Sequence, residues 1–152
     1  LTLPAGLTAG PHKLLVTHGV NFGAPTGVRP GFTSNLAAFV VQPVITKTGN
    51  QYDIAVANVQ GTGNAPRSAT ITVRVTSDVG AKQTATLELL GPQGVANTFM
   101  APPRTASTSQ LVFAAQGVTA GTYFFQVRID GAASPLELDA TGAPVAPSRT
   151  IP

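Results

Sequence analysis

Three segments of the chain alternate strictly between apolar and polar residues. Residues 69–76 place alanine, isoleucine or valine at every second position, with threonine and arginine between them. Residues 83–90 and 123–130 repeat this pattern. A period of two is typical of a β-strand with one buried face. We therefore predict three half-buried strands, with the following side chains in the core: Ile71, Val73, Leu87, Leu89, Phe125 and Val127.

Weaker strand patterns and frequent turn residues fill the rest of the sequence. The weaker strands are predicted at residues 12–18, 35–41, 52–58, 97–101, 110–115 and 135–139. Turn signals fall at residues 61–64, 91–94, 102–103 and 130–131. No segment has a convincing helical period. Short strands at about eight- to twelve-residue spacing predict an all-β fold, an immunoglobulin-like antiparallel β-sandwich.

The segment GVTAGTY at residues 117–123 is typical of the turn into a late strand of such a sandwich. In that corner a tyrosine hydroxyl bonds back to the backbone a few residues upstream. The same pattern also fits an ordinary core tyrosine at the start of a strand. Because the chain contains neither cysteine nor tryptophan, an antibody-type domain is excluded.

A domain boundary is predicted near Gln42-Pro43. Residues 44–152 are about as long as one complete sandwich. Residues 1–43 hold only two or three strands, which are too few to close a core. We therefore expect residues 1–43 to be the closing strands of a second, incomplete immunoglobulin-like domain, completed by upstream sequence or by a neighbouring copy. Residues 24–30 are predicted to form an exposed loop.

Composition and charge exclude several functional classes. The absence of cysteine rules out a disulfide framework and thiolate chemistry, and leaves the compartment open. No run of about 18 apolar residues occurs, so we predict no membrane insertion. The net charge of +3 is too thinly spread to bind nucleic acid. Dispersed arginines carry most of the positive charge: Arg67, Arg74, Arg104, Arg128 and Arg149.

The search for a chemical site is negative. His12 and His18 would lie about 20 Å apart along one strand, too far to share a metal ion. Glu137 and Asp139 would share a strand face about 7 Å apart, where a cation or a glycosidase-like pair is conceivable, but the solvated face of an edge strand is favoured. There is no Gly-x-Ser-x-Gly motif.

The lysines and one outward aromatic residue are two further candidates. A lysine–asparagine isopeptide cross-link needs a buried lysine beside an acid, whereas Lys13, Lys47 and Lys82 are predicted to be solvated. Phe124 is predicted to point outward from its strand and is a candidate protein contact, although single exposed phenylalanines are common. We therefore predict no catalytic, cofactor-binding or metal-ligating residue and expect that the chain is not an enzyme.

Several short segments of the sequence, called phrases below, resemble segments of a known protein family. The phrase LPAGLTAG at residues 3–10, followed by Val16 and His18, is similar to the closing strands of a TIG-type immunoglobulin-like domain. The resemblance continues through the phrases RPG (29–31), SNLAAFVVQP (34–43), APRSA (65–69), APPRT (101–105), RIDGAASPL (128–136) and TIP (150–152). Their order resembles the C-terminal region of the cap, or tube-terminator, proteins of extracellular contractile injection systems, such as the Photorhabdus virulence cassette and the antifeeding prophage.

This resemblance implies a structural, non-catalytic accessory region of a phage-tail-like particle. Its implied partners are other particle proteins, namely cap neighbours and possibly sheath and tube, within a homo-hexamer. The implied location is the bacterial cytoplasm during assembly and then a cytoplasmic or released particle. The family's tube-terminating N-terminal domain has no counterpart here, so tube termination is not assigned to these residues. The alternative is a carbohydrate- or cell-surface-binding module, although the chain has no tryptophan and only two tyrosines to form sugar-stacking platforms.

Overall fold

The computed structural model describes residues 6–21, 23, 27–91 and 96–152. These residues form antiparallel strands and contain no helix. The strands are β1 (Gly10–Leu14), β2 (Thr17–Asn21), β3 (Val28–Thr33), β4 (Ala37–Val41), β5 (Lys47–Thr48), β6 (Gln51–Tyr52), β7 (Ile54–Gln60), β8 (Arg67–Val79), β9 (Ala85–Leu90), β10 (Ala96–Met100), β11 (Thr108–Val118), β12 (Gly121–Ile129), β13 (Ala132–Ala133), β14 (Glu137–Leu138), β15 (Pro144–Ala146) and β16 (Ser148–Ile151).

Two antiparallel sheets form the body of the molecule. One has the strand order β10-β9-β12-β13, with β16 also paired to β12, and the other has the order β11-β8-β7. Their inward side chains belong to one continuous apolar cluster, so the sheets pack face to face as a β-sandwich. The prediction of an all-β sandwich is therefore confirmed.

The alternating pattern places the core as predicted. In β8, β9 and β12 nearly every second residue is buried, because successive side chains of a strand point to opposite faces. All six predicted core side chains are fully buried: Ile71, Val73, Leu87, Leu89, Phe125 and Val127. The opposite sheet contributes Leu111 and Phe113 to the same cluster.

Two local predictions are also confirmed. The buried Tyr123 donates a hydrogen bond from its hydroxyl to the Thr119 carbonyl oxygen at 2.9 Å, which is the backward bond expected of the tyrosine corner. Asp130 and Gly131 both have positive φ, 47° and 88°, as a tight Asp-Gly hairpin turn between β12 and β13 requires. The Asp130 carboxylate also accepts a hydrogen bond from the Thr84 backbone N–H at 2.9 Å, which ties this turn to β9.

Residues 10–21 and 27–41 form a two-stranded ribbon outside the two sheets. Strand β1 pairs with β4, and β2 pairs with β3, so the chain goes out along β1 and β2 and returns along β3 and β4. A hydrogen bond from Ser34 N–H to the Val16 carbonyl joins the two halves at 2.8 Å. At the base of the ribbon, Ala9 N–H bonds the Asp78 carbonyl, and the Ala9 carbonyl accepts a bond from Gln83. We call strands β1 to β4 with their described connections the ribbon.

Several predicted boundaries in the weaker segments are wrong. Residues 12–18 are not one strand, because β1 ends at Leu14 and β2 begins at Thr17. Residues 28–30 belong to β3 rather than to a loop, and residues 24–26 lie outside the described part. Within the predicted strand 135–139 only residues 137–138 are paired, and β15 and β16 were not predicted at all. The predicted turn at residues 91–94 also lies largely outside the described residues.

Candidate functional site

The two histidines occupy different strands and make no common site. His12 is half-buried in β1, where its ring stacks on Phe39 with centroids 5.5 Å apart, and its Nε2 lies 2.7 Å from the Thr8 carbonyl oxygen. His18 is exposed in β2. Within the described ranges no three His, Asp or Glu side chains lie close enough to hold a metal ion. His12 therefore has a packing role in the ribbon.

Glu137 belongs to a surface cluster with Lys47 and Tyr52. Lys47 Nζ is 2.6 Å from Glu137 Oε1 and lies 4.4 Å from the centre of the Tyr52 ring, and the Tyr52 hydroxyl donates to the same carboxylate oxygen. The hydrogen bond from Lys47, followed by that from Tyr52, lowers the pKa of Glu137. The same contact raises the pKa of Lys47. The cluster joins β5 and β6 to β14.

Asp139 does not share that site, contrary to the paired arrangement considered from sequence. Strand β14 ends at Leu138, so Asp139 begins a turn. Its Oδ1 accepts hydrogen bonds from the Thr141 hydroxyl and from the backbone N–H groups of Thr141 and Ala143. These bonds, the Thr141 hydroxyl first, lower the pKa of Asp139. Each of the two carboxylates is therefore engaged in its own local hydrogen bonding.

A polar groove of about 550 Å³ lies beside Tyr52, along β6, β7 and β8. Asp53 accepts hydrogen bonds from Thr46 and Thr48 at 2.6 and 2.7 Å, and these bonds, that of Thr46 first, lower its pKa. Arg149 donates to the backbone carbonyls of Tyr52 and Ile54, each at 3.2 Å. We call this the polar groove, whose lining includes Gln51, Tyr52, Asp53, Arg74, Gln110 and Arg149.

A second, more apolar cleft of about 430 Å³ lies on the other side of Tyr52. Its lining combines residues from two distant parts of the sequence, because the chain segment that follows the ribbon lies beside the segment that precedes β14. The polar cluster described above forms its rim. We call this the apolar cleft, with apolar lining residues Val44, Ile45, Pro135 and Leu136 and rim residues Lys47, Tyr52 and Glu137.

The ribbon carries half of the large hydrophobic side chains that are exposed in the described residues. Phe32 in β3 is the extreme case, with 84% of its surface accessible. The other four lie in the connections and in β4: Leu15, Val16, Leu36 and Val40. A two-stranded ribbon has too little surface of its own to bury such side chains, so these apolar side chains stay exposed to solvent.

Phe124 points away from the core, as predicted, but it is not the most exposed aromatic side chain of the described residues. Phe124 is only half-buried and lies between Leu90 and Ser148 on the neighbouring strands, so it is not a freely exposed contact. Phe32 lies in β3, between the predicted loop 24–30 and the predicted strand 35–41, and no sequence pattern marks it as part of a strand. A proline and a glycine immediately precede it, and this interrupts the alternation that would have marked a strand.

The arginines are mostly committed to the fold. Arg67 is buried, and its guanidinium donates to the carbonyls of Gly63 and Ala65 within its turn. Arg104 donates to two backbone carbonyls, and Arg128 pairs with Glu88 at 2.6 Å. Arg128 lies on the outward face of β12, where 39% of its side chain is accessible. These positions do not form a continuous basic surface.

One family match covers the sequence of the sandwich and leaves out that of the ribbon. The family model described as Domain of unknown function (DUF8756) matches residues 43–151. The chain belongs to this family. Neither the curated proteins nor the solved structures provided a match. In the described part of this DUF8756 protein, no helix is long and apolar enough to cross a membrane.

Proposed function

We propose that this chain is a structural, non-catalytic module that acts through protein–protein contacts, with the ribbon as its contact element. The observation that carries the proposal is the concentration of exposed apolar side chains on the ribbon, Phe32 above all. Isolated exposed hydrophobic residues are normal, but a set collected on one projecting element is typical of an interaction surface. The ribbon strands lie outside both sheets, which leaves their outer backbone edges available as well.

The particular assembly we propose is the cap of a phage-tail-like contractile injection particle. The order of phrases along the sequence supports this assignment through its resemblance to cap proteins of such particles. On this proposal the sandwich is an immunoglobulin-like accessory domain, a detail supported by its two antiparallel sheets and by the Tyr123 corner. The partners are cap neighbours and possibly sheath and tube proteins within a hexameric cap, assembled in the bacterial cytoplasm and carried on the particle.

Co-sedimentation with purified contractile particles tests this proposal. The labelled chain is expected to pellet with particles that lack their own copy of the region, and Phe32→Ser is expected to reduce the bound fraction. Met100→Ser on β10 is the matched control, because Met100 is also exposed but lies outside the ribbon. If the chain stays in the supernatant, or if both substitutions act equally, the proposal is wrong.

The polar groove favours carbohydrate binding as a second candidate function. It presents an aromatic ring beside carboxylate, amide and guanidinium groups, which are the side chains that orient sugar hydroxyls. However, Lys47 already lies over the Tyr52 ring, and Asp53 and Arg149 already have partners. A glycan array separates the two functions: binding that is abolished by Arg74→Ala and retained in Phe32→Ser would favour sugar recognition.

A further inference from the structure

The charged residues of this chain are separated along the sequence. Residues 1–52 contain three cations, Lys13, Arg29 and Lys47, and no aspartate or glutamate. Residues 132–148 contain two acids, Glu137 and Asp139, and no lysine or arginine, and they are flanked by Arg128 and Arg149. The first stretch includes the ribbon, and the second includes β14, β15 and three residues that line the apolar cleft, Pro135, Leu136 and Glu137. The ribbon therefore carries two cations, Lys13 and Arg29, and no acid, whereas the segment from β14 to β15 carries two acids and no cation.

One ion pair already joins these two stretches within a single copy. Lys47, at the end of the first stretch, pairs with Glu137 of the second at 2.6 Å. Asp139 bonds only to its own turn through Oδ1, so its charge still faces solvent. Exposed cations on the ribbon, Lys13 and Arg29, have no equivalent acid near them in sequence.

The apolar cleft has the size and lining to take an aromatic ring. Its volume of about 430 Å³ exceeds the roughly 150 Å³ that holds benzene in an engineered apolar cavity. Its apolar lining is formed by aliphatic and proline side chains, and two further exposed hydrophobic residues, Leu138 and Val145, lie on the adjoining β14 and β15. Phe32 is not in the cleft of its own copy, because 84% of its surface is accessible.

We propose that the ribbon of one copy docks on a second copy of this chain, with Phe32 in the apolar cleft and Arg29 toward the acidic β14–β15 region. This inference rests on the proposed function, since it names one partner for the ribbon.

Charge argues against direct pairing of two ribbons. Each ribbon carries Lys13 and Arg29 with no acid, so ribbon-to-ribbon contact would bring like charges together. Ribbon-to-cleft contact joins two different surfaces instead. Such a contact closes either as a two-fold pair with two equivalent contacts or as a head-to-tail ring. In both cases every contact uses the ribbon of one copy and the cleft of another.

Two single variants and their mixture test the contact on the full chain. Phe32→Ser removes the inserted ring and keeps the cleft, whereas Val44→Lys places a cation in the lining of the cleft and keeps the ribbon. Both residues are exposed in the single copy, so the sandwich is expected to fold in each variant. Molar mass is measured by light scattering after gel filtration, at concentrations above the micromolar range, where even weak interfaces of standard size associate.

The wild-type chain and Met100→Ser are expected to self-associate, and each of the other two variants alone is expected to lose about 30-fold or more in affinity, as loss of an anchor residue implies. An equimolar mixture of Phe32→Ser and Val44→Lys is expected to form heterodimers, because one intact ribbon then meets one intact cleft. Leu136→Lys provides a second cleft variant if Val44→Lys does not fold.

Three results would overturn the inference: a monomeric wild-type chain, self-association of Val44→Lys at wild-type strength, or failure of the mixture to associate. The second result would indicate ribbon-to-ribbon pairing. A monomeric chain that still binds contractile particles through Phe32 would leave the proposed function standing, whereas self-association without any binding to particles would contradict only the proposed function.

Discussion

Replacing two neighbouring phenylalanines of β12 with alanine tests the strand register on which the core depends. Phe125 is fully buried against the opposite sheet, whereas Phe124 points to the other face of the strand and is half-buried. The two substitutions delete the same atoms one position apart. Any difference in their cost therefore reports which face of β12 is inside, because a one-residue slip would exchange the two environments.

The expected magnitudes follow from burial. Phe125→Ala loses the full transfer free energy of the ring and leaves a cavity, which costs about 3–5 kcal/mol. Phe124→Ala loses roughly half of a 1.5–3 kcal/mol transfer term and leaves little cavity, or about 1 kcal/mol. For a chain of this size each kcal/mol lowers Tm by roughly 2–4 °C. The Phe125→Ala variant is therefore expected to melt at least about 6 °C below wild type, and several degrees below Phe124→Ala.

Urea unfolding followed by far-ultraviolet circular dichroism is the appropriate assay, since the chain has no tryptophan for a fluorescence signal. The midpoints should separate in the order wild type, Phe124→Ala, Phe125→Ala, with the slope m unchanged if both variants unfold from the same compact state. Equal costs, or a larger cost for Phe124→Ala, would show that the inward face of β12 is assigned incorrectly.

Three further outcomes are expected. Tyr123→Phe should lower stability by about 1 kcal/mol, the usual net value of one hydrogen bond, because the Thr119 carbonyl loses its donor; an unchanged urea midpoint would contradict this role for the corner. Hydrogen bonds from Thr141 lower the pKa of Asp139 in the folded state. The contribution of Asp139 to the stability of the fold is therefore complete at pH values above its ordinary pKa of 3.8 and is lost as the pH falls through its lowered pKa. Asp139→Asn should consequently flatten the decline of Tm below about pH 4. Added calcium, magnesium or zinc should leave Tm unchanged, and a chelator-reversible rise would reopen Glu137 and Asp139 as ligands.

The alternating segments could be interpreted from the sequence alone because side-chain direction in a strand has a period of two. Every second residue of β8, β9 and β12 had to face the same side, and only one side was apolar, so the buried set followed without knowledge of the partners. The Asp130-Gly131 turn was equally local, since glycine and aspartate tolerate positive φ. These features depend on residues adjacent in the chain, and sequence was sufficient for them.

The ribbon and the clefts depend on contacts between residues far apart in the chain. Pairing of Gly10 with Val41 and of Lys47 with Glu137 joins segments 31 and 90 positions apart, and no local pattern encodes either contact. The proline and glycine of β3 interrupt the apolar–polar alternation that predicts a strand. The sequence therefore did not indicate that Phe32 is the most exposed aromatic side chain in the described ribbon. The sequence by itself determined which faces of the strong strands are buried, because that choice is made by neighbouring residues. Only the tertiary structure decided which surfaces remain uncovered, because exposure depends on every other segment that packs nearby.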